Sequence, residues 1–438
     1  MTRIQVRSLL AGAIAPLFAT TAVAGVPAYD TIELQARSNL IVNDNGWNVP
    51  PGTSFNSISA AINDAQQIAF TAGVVPIDGN LSDIGAGLWV GGHGVGEFVA
   101  IHDPGSDPKA TMIISDRPSI NEEGHVAYYT SLDGGTYVLR KYDPLAGGSD
   151  VVSLLPLSPS SLANPRLADD GTIGVRGGFN SAYAFVRAVP GAQAELIAFD
   201  TNYGGTSPYA YLYSPETNNA GRMASKVSTS DFDHNEIRLF DGLDDSRLLV
   251  ADDVTDAASP YSRFDNGLGL NDHGAVAVAV RLVAGSVRAI HRFTPVGDDV
   301  QAVEIARVDP AGMIRAIDSF APDINDDGLV VFRGQDANGA AVFVGDGETL
   351  VRVVGKGDVV ATDQGPGQLG QHIDDPGSWP VFSGSPTIND AGDVALVAGL
   401  HPEGDNQVEW GSGVFVAYAK PVVDDIIFAD GFDAAPAL

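Results

Sequence analysis

The sequence predicts an all-β fold: a seven-bladed β-propeller of four-stranded blades, closed by an N-terminal strand that completes the last blade. Three observations predict it. A turn motif recurs seven times at spacings of 47 to 64 residues, strand-like runs surround each copy, and the two ends of the chain supply complementary parts of one blade.

Residues 1–24 come first and read as a secretory signal peptide. Arg3 and Arg7 give the positive start, Leu9 to Phe18 a short apolar stretch, and Ala22-Val23-Ala24 small residues for a peptidase acting before Gly25. That stretch is shorter than the about 20 apolar residues that span a bilayer. The propeller is then expected over 25–421, with a tail at 422–438 whose apolar pieces, such as Ile426-Ile427-Phe428, are too short to cross a membrane. A secreted, periplasmic or cell-surface location follows, with no membrane insertion after cleavage.

The motif begins at Asn63, Asn121, Ala168, Asn218, Asn271, Asn325 and Asn389, and its fourth position is Gly124, Gly171, Gly221, Gly274, Gly328 and Gly392 in all copies but the first, which has Gln66. Asn bonds its own backbone and tolerates left-handed φ, and Gly takes φ > 0 without a Cβ clash, so each copy is a tight structural turn. A short apolar run follows, as a buried strand would. Pro precedes five copies by three residues (Pro118, Pro165, Pro215, Pro322, Pro386); lacking an N–H, it suits a strand start or free edge. Two more strands follow each turn, for example Ala341–Val344 and Leu350–Val354. The chain has no fourth strand after the seventh Gly413–Ala419 run, whereas Thr31–Ala36 resembles one. Pairing these ends leaves no open sheet edges of the kind an unclosed array would expose.

Of 438 residues, 24 are Lys or Arg and 55 are Asp or Glu, giving a formal charge of −31. Like charge excludes nucleic acid as a partner. With no cysteine, disulfides, thiolate metal sites and cysteine nucleophiles are excluded. The 44% apolar share is too high for a disordered acidic chain. The expected state is a monomer.

The repeats resemble those of bacterial exported proteins carrying tandem NxxGxxAF motifs, a propeller-like family of uncharacterised function, and the likeness covers about residues 31 to 420. It implies the fold and export and supplies no catalytic residues. The end Ile427-Phe-Ala-Asp-Gly-Phe432 also resembles a short C-terminal motif on exported proteins of some gammaproteobacteria.

Candidate functional residues are sparse. Asp323-x-Asn325-x-Asp327-Gly328 matches the first half of a calcium loop, but Gly334 stands where the bidentate acid belongs, so Ca2+ is a weak expectation and no other cofactor is expected. Gly365-x-Gly367-Gln-Leu-Gly370 is a literal GxGxxG without a helix to follow, and reads as a loop. The remaining lead lies in two long segments that blade seven should present on the face opposite the Asn turns. The crossing 355–385 carries His372, Asp374, Asp375 and Trp379, and the loop at about 399–412 carries His401, Glu403, Asp405 and Trp410. Acids, imidazoles and indoles together suit a divalent cation or a carbohydrate. The function expected is a non-enzymatic binding or surface-interaction module for an extracellular ligand, carbohydrate or protein. The alternative is a propeller hydrolase or lyase acting on an extracellular polysaccharide or other polymer.

Overall fold

The computed structural model describes residues 25–38, 46–54, 58–74, 85–102, 110–113, 117–132, 136–370 and 381–420. Residues 1–24, expected to be a signal peptide, and the tail 422–438 lie outside them. Seven antiparallel sheets follow one another along the chain, each of four principal strands, a to d from the axis outward. Blade five shows the plan most plainly: Tyr261–Leu270, Val276–Leu282, Arg288–Val296 and Asp299–Arg307 pair in sequence order.

Apolar side chains from strands b and c fill the wedge between neighbouring sheets, and one core cluster occupies each of the seven wedges. Between blades five and six, for instance, Ile290 and Ala277 pack with Phe332 and Phe343, all at most 1% exposed. The alternation that makes each strand two-faced therefore buries both faces, which is why the b and c runs are almost continuously apolar.

The ring closes as expected. Ala28–Arg37 is the outermost strand of blade seven and runs antiparallel to Gly411–Lys420, with Ile32 opposite Ala417 and Leu34 opposite Phe415. Tyr29 Oη adds a bond of 2.8 Å to the Gly392 carbonyl.

The innermost strand is interrupted in every blade. It is split into two pieces in blades one, two, four and six, as Tyr211–Leu212 and Glu216–Thr217 show for blade four, and bulged in blades three, five and seven. Pro118, Pro215 and Pro322 stand immediately before the second piece, where no ladder N–H is needed. Blade seven differs further. The GxGxxG segment is not a loop: Gly365–Leu369 is a strand that pairs with Val359–Thr362 on one side and with Gly367 opposite Pro402 on the other. Gly365, at φ 102°, lets the hairpin reverse, and Thr362 Oγ1 donates to its carbonyl at 2.7 Å. Strand b extends through Val394–Pro402, so the following loop is 403–410 rather than 399–412.

Candidate functional site

The seven turns form a ring of hydrogen bonds around the axial channel. Within each turn the first residue's carbonyl accepts from the fourth residue's N–H, as in Gly124 N to Asn121 O at 3.0 Å. The fourth residue takes positive φ throughout, between 72° and 87° for the six glycines and 60° for Gln66. The Asn carboxamide then acts twice. Its Oδ1 accepts from the N–H four residues on, as in Asn325 with Leu329 at 2.9 Å. Its Nδ2 donates to the next blade's turn: Asn63 to Asn121 O (2.9 Å), Asn218 to Asn271 O, Asn271 to Asn325 O, Asn325 to Asn389 O, and Asn389 back to Asn63 O (each 3.0 Å).

A second ring runs through the next position. The backbone N–H of each second turn residue donates to the side chain of its counterpart one blade on: Asp64 to Glu122, Glu122 to Asp169, Asp169 to Asn219, Asn219 to Asp272, Asp272 to Asp326, Asp326 to Asp390, and Asp390 to Asp64. Six carboxylates thus rim a cavity of about 190 Å³ at this mouth of the channel. Burial and repulsion from neighbouring acids raise the pKa of Glu122 to about 7, that of Asp390 to about 6, and that of Asp326 above the usual range.

Deeper in the channel, the residue two before the turn supplies a further tier in five of the seven blades. Ser119 Oγ accepts from Leu167 N at 2.9 Å, and Thr387 Oγ1 donates to Ala60 O at 2.9 Å. Arg166, Glu216 and Asp323 hold the same position in blades three, four and six and meet Arg117 from blade two. Arg166 forks onto Glu216, Nη2 reaching Oε1 at 3.0 Å, while Arg117 lies 3.0 Å from Glu216 and 3.5 Å from Asp323. Burial would raise Glu216, but the two guanidiniums hold it below the usual carboxylate range. Two cations and two anions therefore cross-brace the channel. Glu216→Ala would leave the buried Arg166 without a carboxylate and Arg117 with Asp323 alone, and losing one partner of such a pair costs about 3–5 kcal/mol, read on denaturant unfolding.

The calcium half-motif is dispersed by this arrangement. Asp323 faces Arg117 and accepts from Ile388 N, while Asn325 is committed to Leu329 and Asn389. Among the described residues no group of three or more His, Asp or Glu is placed to hold a metal ion.

A broad concavity lies along the closing strand, where the chain's ends meet blade one. This groove, of about 980 Å³, is lined by Glu33, Trp47, His93, Asp363, Gln364 and Tyr418 among others. His93 and Tyr418 stack nearly parallel, 5.9 Å between centroids. Tyr418 Oη donates to Glu33 at 2.5 Å, and burial with this neighbour pushes its phenol pKa up. Arg37, 1% exposed, grips Asp363 with Nε and Nη2 at 2.9 and 2.8 Å. Burial would raise Asp363, but this fork holds it below the usual range.

The residues expected to form a site divide as follows. His372, Asp374, Asp375 and Trp379 lie outside the described residues. His401 is 7% exposed, with Nδ1 2.8 Å from the Pro402 carbonyl and its ring against Gly370. Trp410 packs on the core between blades six and seven, and its carbonyl accepts from Arg37 at 2.7 Å. Glu403 and Asp405 are exposed in the loop, where Asp405 Oδ1 accepts from Gln407 N at 3.0 Å. His401 and Trp410 are thus fixed by packing, and only the two acids present themselves to solvent. The groove residues were not singled out from sequence, because Glu33, Trp47, His93, Asp363 and Tyr418 share no motif and meet only through ring closure.

Fold and channel together define a closed seven-bladed propeller, hydrogen-bonded from turn to turn and cross-braced at its axis. The chain belongs to DUF7453, a family of unknown function, which it matches over residues 194–435. No curated protein matches it in sequence. Among solved structures it is similar to TolB from Acinetobacter baumannii (14% identity, TM-score 0.39, 61% of this chain and 59% of that one). It is also similar to a prolyl endopeptidase (11%, 0.48, 82% and 50%) and to the WD40 repeats of RRP9 (10%, 0.45, 90% and 99%). The chain spans only 59% and 50% of the first two.

Proposed function

We propose that this protein is an exported, non-enzymatic binding module that holds an uncharged or cationic extracellular ligand, best a neutral carbohydrate, in the groove along its closing strand. The observation that carries this is the lining: the rings of Trp47, His93 and Tyr418 beside the planar polar groups of Glu33, Asp363 and Gln364 in one preformed concavity. Aromatic faces stack on apolar sugar faces while carboxylates and carboxamides accept and donate to hydroxyls. The net charge of −31 opposes an anionic ligand there. A polymer hydrolase would want a carboxyl group kept protonated beside an ionised one. Asp363 is instead clamped ionised by Arg37, and Glu33 already accepts from Tyr418 and Gln35. Export rests on the N-terminal 24 residues.

Tryptophan fluorescence titrated with a panel of neutral oligosaccharides tests the reading. Saturable change is expected in the wild type, with affinity at least tenfold weaker in Trp47→Ala. Absence of binding across the panel, or equal affinity in the variant, would overturn it.

A further inference from the structure

A second cavity, of about 260 Å³, opens between blades five and six on the face opposite the Asn turns. It exists because two inner strands are interrupted side by side. In blade five the bulge Asp265-Asn266-Gly267 leaves the ladder between Phe264 and Leu268, and in blade six Ser319 lies in the gap between Ala316–Ile317 and Asp323–Ile324. Gly267 is required for this approach, since a Cβ there would come within 2.7 Å of the Ala321 Cβ.

Its lining is unlike the rest of the molecule. Arg263, Arg281 and Arg288 converge on it with Asp265 as the one carboxylate. Elsewhere buried arginines are matched by acids, as Arg37 is by Asp363 and Arg166 by Glu216. Here Arg288 binds Asp265 and the Asp318 carbonyl (2.9 Å), yet its Nε is buried without a partner. Arg281 reaches only Ser286, and Arg263 is exposed with no hydrogen bond or ion pair among the described residues. The Asn266 Oδ1 accepts from Lys226 Nζ at 3.1 Å, which leaves the carboxamide N–H groups as donors. Burial, with Arg263 nearby, lowers Lys226 to about 8, as expected where cations crowd.

We propose that this cavity is a binding site for a single oxyanion group, a carboxylate or a phosphate monoester, carried by a small ligand. Three guanidinium forks gathered in an acidic protein repel one another, and an oxyanion accepting from Arg263, Arg281 and the Asn266 amide relieves that repulsion with paired, charge-assisted hydrogen bonds. The size admits one group and not a polymer. The surrounding charge of −31 repels a polyanion while leaving a local positive well for one small oxyanion group. The site is independent of the groove along the closing strand.

Isothermal titration with inorganic phosphate, acetate and glucuronate at constant ionic strength tests the proposal. At least one probe is expected to bind once per chain. Its affinity should fall tenfold or more in Arg263→Ala and measurably in Arg281→Ala, and remain unchanged in Arg307→Ala, a surface arginine of the same blade. Neither of the first two side chains braces the core, so the unliganded thermal midpoints should match the wild type. Preference for phosphate points to a phosphorylated ligand, and preference for glucuronate to an acidic sugar. No saturable binding of any probe, or equal affinity in Arg263→Ala, would sink the proposal.

Discussion

One carboxamide explains why the turn motif begins with asparagine. The position must accept from its own turn and donate to the next blade at once, and aspartate can do only the first. At the neighbouring position the demand is reversed: a carboxylate is the best acceptor for an incoming N–H, and six of the seven copies place one there. The cost is burial, with crowding added to it. Glu122 is raised from an ordinary 4.5 to about 7. Between those values the folded state keeps a proton that the unfolded chain has released, so a destabilisation absent below 4.5 sets in as pH rises and is complete above about 7. Glu122→Gln retains the acceptor and removes the charge. Its thermal midpoint should gain on the wild type as pH is raised from 5 to 8. Parallel midpoints across that range would mean that neither burial nor the neighbouring acids penalise the charge on Glu122.

Among the elements, the turns were legible in sequence and the inner strands were not. Turn chemistry is local, so Asn followed three residues later by Gly announces it in five copies, and in the first Gln66 accepts the left-handed backbone that Gly takes elsewhere. The third copy tests the rule. Ala168 has no carboxamide to offer Asn218, and Thr172 N turns to Asp170 Oδ1 instead (2.8 Å). Ala168→Asn should therefore supply the absent link between blades three and four. About 0.5–1.5 kcal/mol of added stability is expected, read as a higher urea midpoint with unchanged slope. Strand interruption depends on what the channel must accommodate, and no local pattern carries that. The upstream prolines suggested strand starts, and Pro215 and Pro322 do stand immediately before the strand pieces that bring Glu216 and Asp323 to the axis, but they do not show that an earlier piece of the same strand precedes each break. The glycines of 365–370 suggested a loop, yet Gly367 is paired on both sides because the strand Val394–Pro402 is long enough to hold it.

At the scale of the whole molecule, seven blades and their closure were readable because the missing fourth strand at one end had a counterpart at the other. The groove was not, since its walls come from residues 33, 47, 93, 363 and 418. Closure is also where the fold is most exposed to a single change. Leu34 is 5% exposed within the core between blades six and seven. Leu34→Asp would bury an unpaired charge there, and a loss of several kcal/mol is expected on denaturant unfolding. Thr31→Asp, on the exposed part of the same strand, should stay within about 0.5 kcal/mol of the wild type. Similar losses in both would show that the strand does not hold the ring.

The bond from Tyr418 to Glu33 joins residues 385 positions apart. At the usual 5–20 residues per second, the ribosome needs roughly 20–80 s to travel between them. Throughout that interval Leu34 has no Phe415 to cover it, so the first strand made is the last to be seated. A companion that shields it, or a delay in folding until the chain is complete, is the natural requirement of a clasp whose halves are born so far apart in time.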